Sequence, residues 1–266
     1  MRPILFEIGD IAVPSFWAMA FLGFIIAFWV IRADLIRRGM PIVFAYDMVL
    51  YSYIGGWVGA RLFLIPTGWD YFVKDPFAFL LSGSGWVWYG GVIGGAVAVA
   101  LLCRSRKISL IAAADIAAPA LAMGLAIGRI GCQLSGDGDY GVPTDLPWGM
   151  AYPEGVVPTH ERVHPTPIYE MVACFGIFAY LWGRYRPSLR VGDLFGRYLV
   201  LSGIVRLLIE FVRRNPAWLI GLTTAQWISI ACIAGGALLI RRAAAAPDAF
   251  EADSADATIG PDPART

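Results

Sequence analysis

The chain has 266 residues, a formal net charge of +1, 58% hydrophobic and only 15% charged residues, a balance that excludes an ordinary soluble domain. The net charge says little by itself, because in a membrane chain the distribution of Lys and Arg among the loops matters more than their sum. The four cysteines, Cys103, Cys132, Cys174 and Cys232, lack metal-ligand spacing, and three of them sit inside apolar runs as expected buried thiols, so no metal site is expected.

Segments able to cross roughly 30 Å of hydrocarbon, about 17 to 25 residues each, are sought first. In chain order there are seven: Ser15 to Ile36, Ile42 to Ile65, Trp86 to Cys103, Leu110 to Gly128, Ile168 to Tyr185, Leu194 to Val212 and Leu219 to Ile240, all approximate. Met1 to Asp10 holds one arginine and leads into a full-length span, so no cleavable signal peptide is expected. The sixth span is the least apolar, since it contains Arg206 and Glu210, yet omitting it would put the strongly basic loops on opposite sides. Those loops are Arg32, Arg37 and Arg38; Arg104, Arg106 and Lys107; Arg184, Arg186, Arg190 and Arg197; and Arg241 with Arg242. They alternate with loops poor in Lys and Arg, which places the N-terminus outside and the C-terminus in the cytoplasm. The expected fold is an all-α integral membrane protein of about seven transmembrane helices, with one polytopic domain over 1–242. The stretch 243–266, rich in alanine, acidic residues and proline, is expected to be a disordered cytoplasmic tail.

A glycine-rich polar run from Gly128 to Gly141 begins where the fourth span ends, and its glycines would let backbone amides approach a ligand. It opens a long outer loop, Arg129 to Pro167, which holds Asp137, Asp139, Asp145, Glu154, His160, Glu161 and His164. Loops of this length in compact domains are functional or disordered; the prolines, tryptophan and tyrosines argue for order, as short irregular or helical pieces. In the sixth span Ser202, Arg206, Glu210 and Arg213 recur at spacings of four, four and three, on one helical face. An intramembrane stripe of charge is expensive unless paired or solvated, and marks a functional site by default. Its plain alternative is an Arg206 to Glu210 pair that only ties helices together.

Arg61 from the second span and Arg129 from the fourth reach the same outer depth, and the third span enters there through Trp88-Tyr89-Gly90-Gly91. A single such arginine would simply snorkel. Arginines from separate helices beside glycine-rich backbone instead suit a phosphate, which the planar guanidinium fork can grip at two oxygens. Gly55 and Gly59, Gly90 and Gly94, Gly91 and Gly95, and Gly124 and Gly128 have the spacing for close helix approach, with Gly90 and Gly91 alternatively making room for a lipid headgroup. Asp47 and Asp115 lie nearer the cytoplasmic side and are expected to tether or cap helices.

These residues resemble the prolipoprotein diacylglyceryl transferases of bacterial cytoplasmic membranes over roughly Pro14 to Arg242. The resemblance rests on Gly59-Ala60-Arg61, Gly128-Arg129-Ile130-Gly131, His164-Pro165 with Tyr169-Glu170, and the spaced Arg206, Glu210 and Arg213. The chain departs from that pattern at Cys132, where an asparagine is usual, at Ser135-Gly136-Asp137 with Gly138 added, at Tyr89 in place of a histidine, and at Phe16 in place of a tyrosine. The resemblance implies a multi-pass inner-membrane enzyme that moves the diacylglyceryl group of phosphatidylglycerol to the lipobox cysteine of a prolipoprotein signal peptide. It implies a partner in the lipid bilayer, no nucleic acid and no cofactor. On this reading Arg129, Arg206, Arg61, Arg213, Gly90, Gly91 and Gly141 bind the phospholipid, and Ser135, His164 and Glu170 support the site. Arg129, Arg206, Asp137, Tyr89 and Glu210 carry the chemistry, with Asp137 as the base, Tyr89 as a donor to the headgroup and Glu210 orienting Arg206. Glu170 and His164 read first as capping and loop-anchoring residues, and Cys132 as a packed thiol rather than a nucleophile. Two other classes stay open: a lipid-binding relative without transferase activity, and an anionic-solute carrier, against which the one-sided clustering of charge counts.

Overall fold

The computed structural model describes residues 1–9, 11–66, 68–81, 87–186 and 189–245. The chain opens with an antiparallel hairpin, β1 (Ile4–Ile8) and β2 (Ile11–Pro14), and passes into α1 (Ser15–Arg37) and α2 (Val43–Leu62). Two short helices, α3 (Trp69–Lys74) and α4 (Pro76–Leu81), lead to α5 (Trp88–Arg106) and α6 (Leu110–Ser135). A second antiparallel hairpin, β3 (Met150–Tyr152) and β4 (Thr159–Val163), precedes α7 (Thr166–Arg184), α8 (Asp193–Glu210) and α9 (Thr224–Ala245). Three helices, α1, α6 and α9, are long and apolar enough to cross a membrane, which agrees with the composition of a membrane protein. Each expected span overlaps one long helix, although Trp86, at the start of the third, lies outside the described residues.

The expectation of a purely α-helical chain is corrected by the two hairpins. In the outer loop, expected as irregular or helical pieces, Tyr152 and Val163 point inward from β3 and β4 and pack with Tyr140. The Tyr140 and Tyr152 rings stack at 4.9 Å, and the Tyr152 hydroxyl donates to Gln133 Oε1 at 2.9 Å, tying the hairpin to α6. Strand pairing wins here because inward aromatic and β-branched side chains bury on one face of a pleated ribbon. Helix α9 continues to Ala245, past the expected domain end at 242, and residues 246–266 of the expected tail lie outside the described residues.

Two seams hold the long helices together. Leu35, Phe44, Met48, Cys103 and Ile116 join α1, α2, α5 and α6, while Ala118, Ala122, Ile177, Leu181 and Leu194 join α6, α7 and α8. In lipid, dispersion and hydrogen bonds hold helices together more than hydrophobic transfer does, so small residues that permit close approach are valuable. The α2 and α5 pair shows this, because a Cβ on Gly94 would come within 2.7 Å of the Gly59 Cα and one on Gly90 within 2.6 Å of the Phe63 Cβ.

Basic residues gather at one end of the bundle. Arg37 stacks on the Trp182 ring at 3.8 Å, Arg106 pairs with Asp47 at 2.5 Å, and Arg190 donates to the Ala243 carbonyl at 3.1 Å. At the same end the buried Asp115 carboxylate of α6 accepts the Gly192 and Phe195 amides at 2.6 and 2.7 Å. Asp47 and Asp115 thus tether and cap, as expected. The opposite end, where α6 and α8 finish and α7 begins, carries the candidate site. Placing a branched side chain at the α2 and α5 contact should separate the helices, so Gly94→Val is expected to cost about 1–3 kcal/mol or more. A lower unfolding midpoint in detergent, followed by tryptophan fluorescence, checks this, and an unchanged midpoint would contradict the close packing.

Candidate functional site

The glycine-rich run is not the open loop its composition suggests. Helix α6 continues through Arg129 and Cys132 to Ser135 and stops at Gly136, whose left-handed conformation (φ 57°) ends it, with the Gly136 amide bonded to the Cys132 carbonyl at 3.0 Å. Gly131 survives within the helix because a Cβ there would lie 3.2 Å from the Phe16 Cα of α1. The continued helix carries Arg129 toward the first turns of α7.

Glu170 of α7 receives it. The Glu170 carboxylate is buried and pairs with Arg129 Nε through Oε2 and with Arg206 Nη1 through Oε1 at 2.6 Å. Arg213 Nη1 approaches the same Oε1 at 3.6 Å. Asp139, in the loop after α6, pairs with both Arg129 and Arg213. Glu210 pairs with Arg206 Nη2 at 2.9 Å and accepts hydrogen bonds from Asn215 at 2.7 Å and Thr223 at 2.8 Å. Three arginines and three carboxylates therefore form one connected cluster in which every guanidinium touches two carboxylates. This differs from unpartnered arginines awaiting a phosphate. Arg206 is the most accessible of the three side chains at 29%.

The loop is positioned by backbone pairing. The Gly141 amide donates to the His164 carbonyl at 2.8 Å, the His164 amide to the Val142 carbonyl at 3.1 Å, and the Val142 amide to the Val212 carbonyl at 2.8 Å. Gly141 is explained by this crowding, since a Cβ on it would lie 2.9 Å from the His164 Cβ. Thr166, at the start of α7, donates its hydroxyl to the Asp139 carbonyl, fixing the aspartate between its arginines. Although burial opposes it, the Arg129 and Arg213 guanidiniums hold the Asp139 carboxyl below the usual carboxylate range. Burial, followed by the neighbouring Asp139 charge, pushes the Asp137 carboxyl up instead. The Cys132 Sγ and the carboxylate oxygens of Asp137 and Asp139 lie within 4.8 Å of one another. Arg129 Nη1 also donates to Cys132 Sγ at 3.6 Å, and Ser135 donates to the Cys132 carbonyl at 3.2 Å.

The remaining expected residues divide. Arg129, Arg206, Arg213 and Glu210 meet, and Asp137 adjoins them. The stripe loses Ser202, whose hydroxyl bonds to the Tyr198 carbonyl at 2.6 Å, and Arg213 reaches the cluster from beyond the end of α8. Glu170 is more than the cap it reads as, because it is the shared partner of the arginines. His164, in the loop before α7, places Nδ1 3.3 Å from the Tyr169 hydroxyl. Arg61 is buried in the last turn of α2, Tyr89 is 43% exposed in the first turn of α5, and Gly90 and Gly91 face α2. The packing against α2 accounts for Gly90 without a headgroup. Asp139, Asn215 and Thr223 complete the cluster and are invisible to periodicity, because each lies in a loop at the end of a helix.

A family model described as prolipoprotein diacylglyceryl transferase matches residues 3–242. The phosphatidylglycerol–prolipoprotein diacylglyceryl transferase of Clostridium tetani is 31% identical over 232 residues, covering 86% of this chain and 93% of its own. That of Aeromonas salmonicida is 31% identical over 261 residues, covering 93% of this chain and 92% of its own. A similarly named Leptospira interrogans protein is 32% identical over 230 residues, covering 76% of this chain and 72% of its own. The family model runs through the helical bundle to residue 242, including both sides of the arginine cluster, and the chain belongs to the prolipoprotein diacylglyceryl transferase family.

Proposed function

We propose that this chain is a transferase that moves the diacylglyceryl group of phosphatidylglycerol to the cysteine thiol of a prolipoprotein, the entry step of bacterial lipoprotein maturation. The acceptor is the lipobox cysteine of a signal peptide, and the setting is the bacterial inner membrane. The observation that carries this reading is the cluster of Arg129, Arg206 and Arg213 around Glu170 and Asp139, in a chain belonging to this family.

In the reaction the thiolate sulfur attacks the glycerol carbon that bears the phosphate. The sulfur–carbon bond of the thioether forms as the carbon–oxygen bond breaks, and glycerol phosphate leaves with the electron pair. Negative charge grows on the departing phosphate, and guanidiniums already fixed in position stabilise it without reorganising. The three guanidiniums supply donors, while Glu170, Asp139 and Glu210 hold the forks in place. A thiol with an unperturbed pKa of about 8.5 is mostly protonated at neutral pH, so its proton needs an acceptor. Asp137 takes that role, its raised carboxyl being closer in basicity to the thiol than an ordinary aspartate. Tyr89 donates to the glycerol headgroup from the start of α5. The reading is tested by incubating the purified protein with phosphatidylglycerol labelled in its acyl chains and a lipobox peptide. Label on the peptide cysteine is expected, and lipid binding without transfer would reject the transferase in favour of a binding protein.

Arg206→Lys keeps the charge but loses the fork that joins Glu170 and Glu210, so transfer is expected to fall about 10²-fold. A wild-type rate at limiting phosphatidylglycerol would remove Arg206 from the phosphate site. Asp137 works as a base only when ionised, so the rate should decline on acidification through its raised pKa, at higher pH than for an ordinary carboxylate. Asp137→Asn should lower the rate about 10²-fold and abolish that acidic limb. Persistence of the limb in the variant would assign the base elsewhere. Finally, all seven long helices are proposed to cross the membrane, with the arginine cluster on the outer side. Reporters placed after Arg242 and near Asp145 should then appear on opposite faces, the first in the cytoplasm.

A further inference from the structure

We propose a second anionic site at the opposite end of the bundle, which holds the phosphate-bearing headgroup of an anionic phospholipid. A cavity of about 420 Å³ lies there, lined by Tyr180, Gly183, Arg184, Arg186 and Leu189. A smaller cavity adjoins it at Tyr180 and continues past Arg197 along Val200, Leu201 and Ile240. The first presents cations and the second apolar side chains, the order in which a headgroup and an acyl chain would meet them.

The charge balance favours an anion. Among the described residues the acidic group paired here is Asp193, and Arg197 grips it at both oxygens, at 2.7 and 3.0 Å. Arg184 is a distant second partner at 3.9 Å and remains 45% exposed. Arg186 spends one nitrogen on the neutral carbonyls of Gly183 and Tyr185 and, among the described residues, meets no carboxylate. Arg197 also donates to the Tyr180 hydroxyl at 2.9 Å, which holds that ring at the junction of the two cavities. Two guanidiniums therefore face the larger cavity with their charge largely unmatched. Basic pockets between membrane helices bind phospholipid headgroups through this combination of charge and groove. The site shares no residue with the Arg129, Glu170 and Arg206 cluster.

Native mass spectrometry of the full chain in detergent, titrated with phosphatidic acid, tests the site. The wild type should retain one lipid adduct that the Arg184→Gln/Arg186→Gln double variant binds on the order of 10-fold more weakly. Arg206→Gln, which alters the other end, should keep that adduct. Equal retention by wild type and double variant would overturn the proposal. Loss of the adduct in Arg206→Gln alone would do so as well, by placing the lipid at the other end. A third arm adds inorganic phosphate at millimolar concentration. Persistence of the adduct supports a lipid, whereas its displacement would identify a free anion as the occupant and overturn the lipid assignment.

Discussion

The carboxylate of Glu170 is the constraint on which this end of the molecule depends. Taking an ion from water into a protein interior costs several kcal/mol per charge, and only good geometry with the remaining groups satisfied offsets it. Here one buried carboxylate is shared by arginines from α6 and α8, so three helices must end or begin at one level. The continuation of α6 past Gly128 follows from the same demand, because a helix stopping there would leave Arg129 short of α7. Arg213 extends the requirement beyond α8, where the Val142 to Val212 hydrogen bond brings the chain back over the cluster.

That arrangement separates two tasks within one group of charges. On the proposed reading, the carboxylates fix the guanidinium planes before any lipid arrives, and the arginines' other donors would meet charge as it develops on the leaving group. The formal charges of the three arginines and three carboxylates cancel. Asp137 stands apart from this balance. Its carboxyl is pushed up by burial and by Asp139, so it accepts a proton more readily than Asp139, which two arginines grip.

Much of this was legible in the chain itself. Apolar length, together with the alternation of basic loops, locates the seven long helices, and the spacing of Arg206, Glu210 and Arg213 places them near one another, because a helix repeat depends on nothing distant. Three readings failed for tertiary reasons. Glycines at 128 and 131 looked like the start of a loop, but close contact with α1 accounts for Gly131 in a helix. The hairpin of β3 and β4 is too short for alternation to stand out, and its stability comes from stacking on Tyr140. Glu170 read as a cap because its partners lie 41 and 36 residues away in the chain. Asp139 was visible as an acidic candidate, yet its two arginines come from α6 and from beyond α8, which no local pattern relates.

The tether at the far end has a different consequence, for how the sequence can change. Asp115 holds α8 through the amides of Gly192 and Phe195, and not through their side chains. Replacing Phe195 leaves that bond intact, while replacing Asp115 leaves two amides that no new side chain at 192 or 195 can satisfy in its place. Gly192 is itself held to a left-handed conformation, φ 98°, that few other residues adopt. Loss of Asp115 therefore has no simple suppressor at its partners. Among the arginines, where both sides of each contact are side chains, a change on one helix can in principle be answered on another. Genetic rescue should thus be common at one end of α6 and rare at the other.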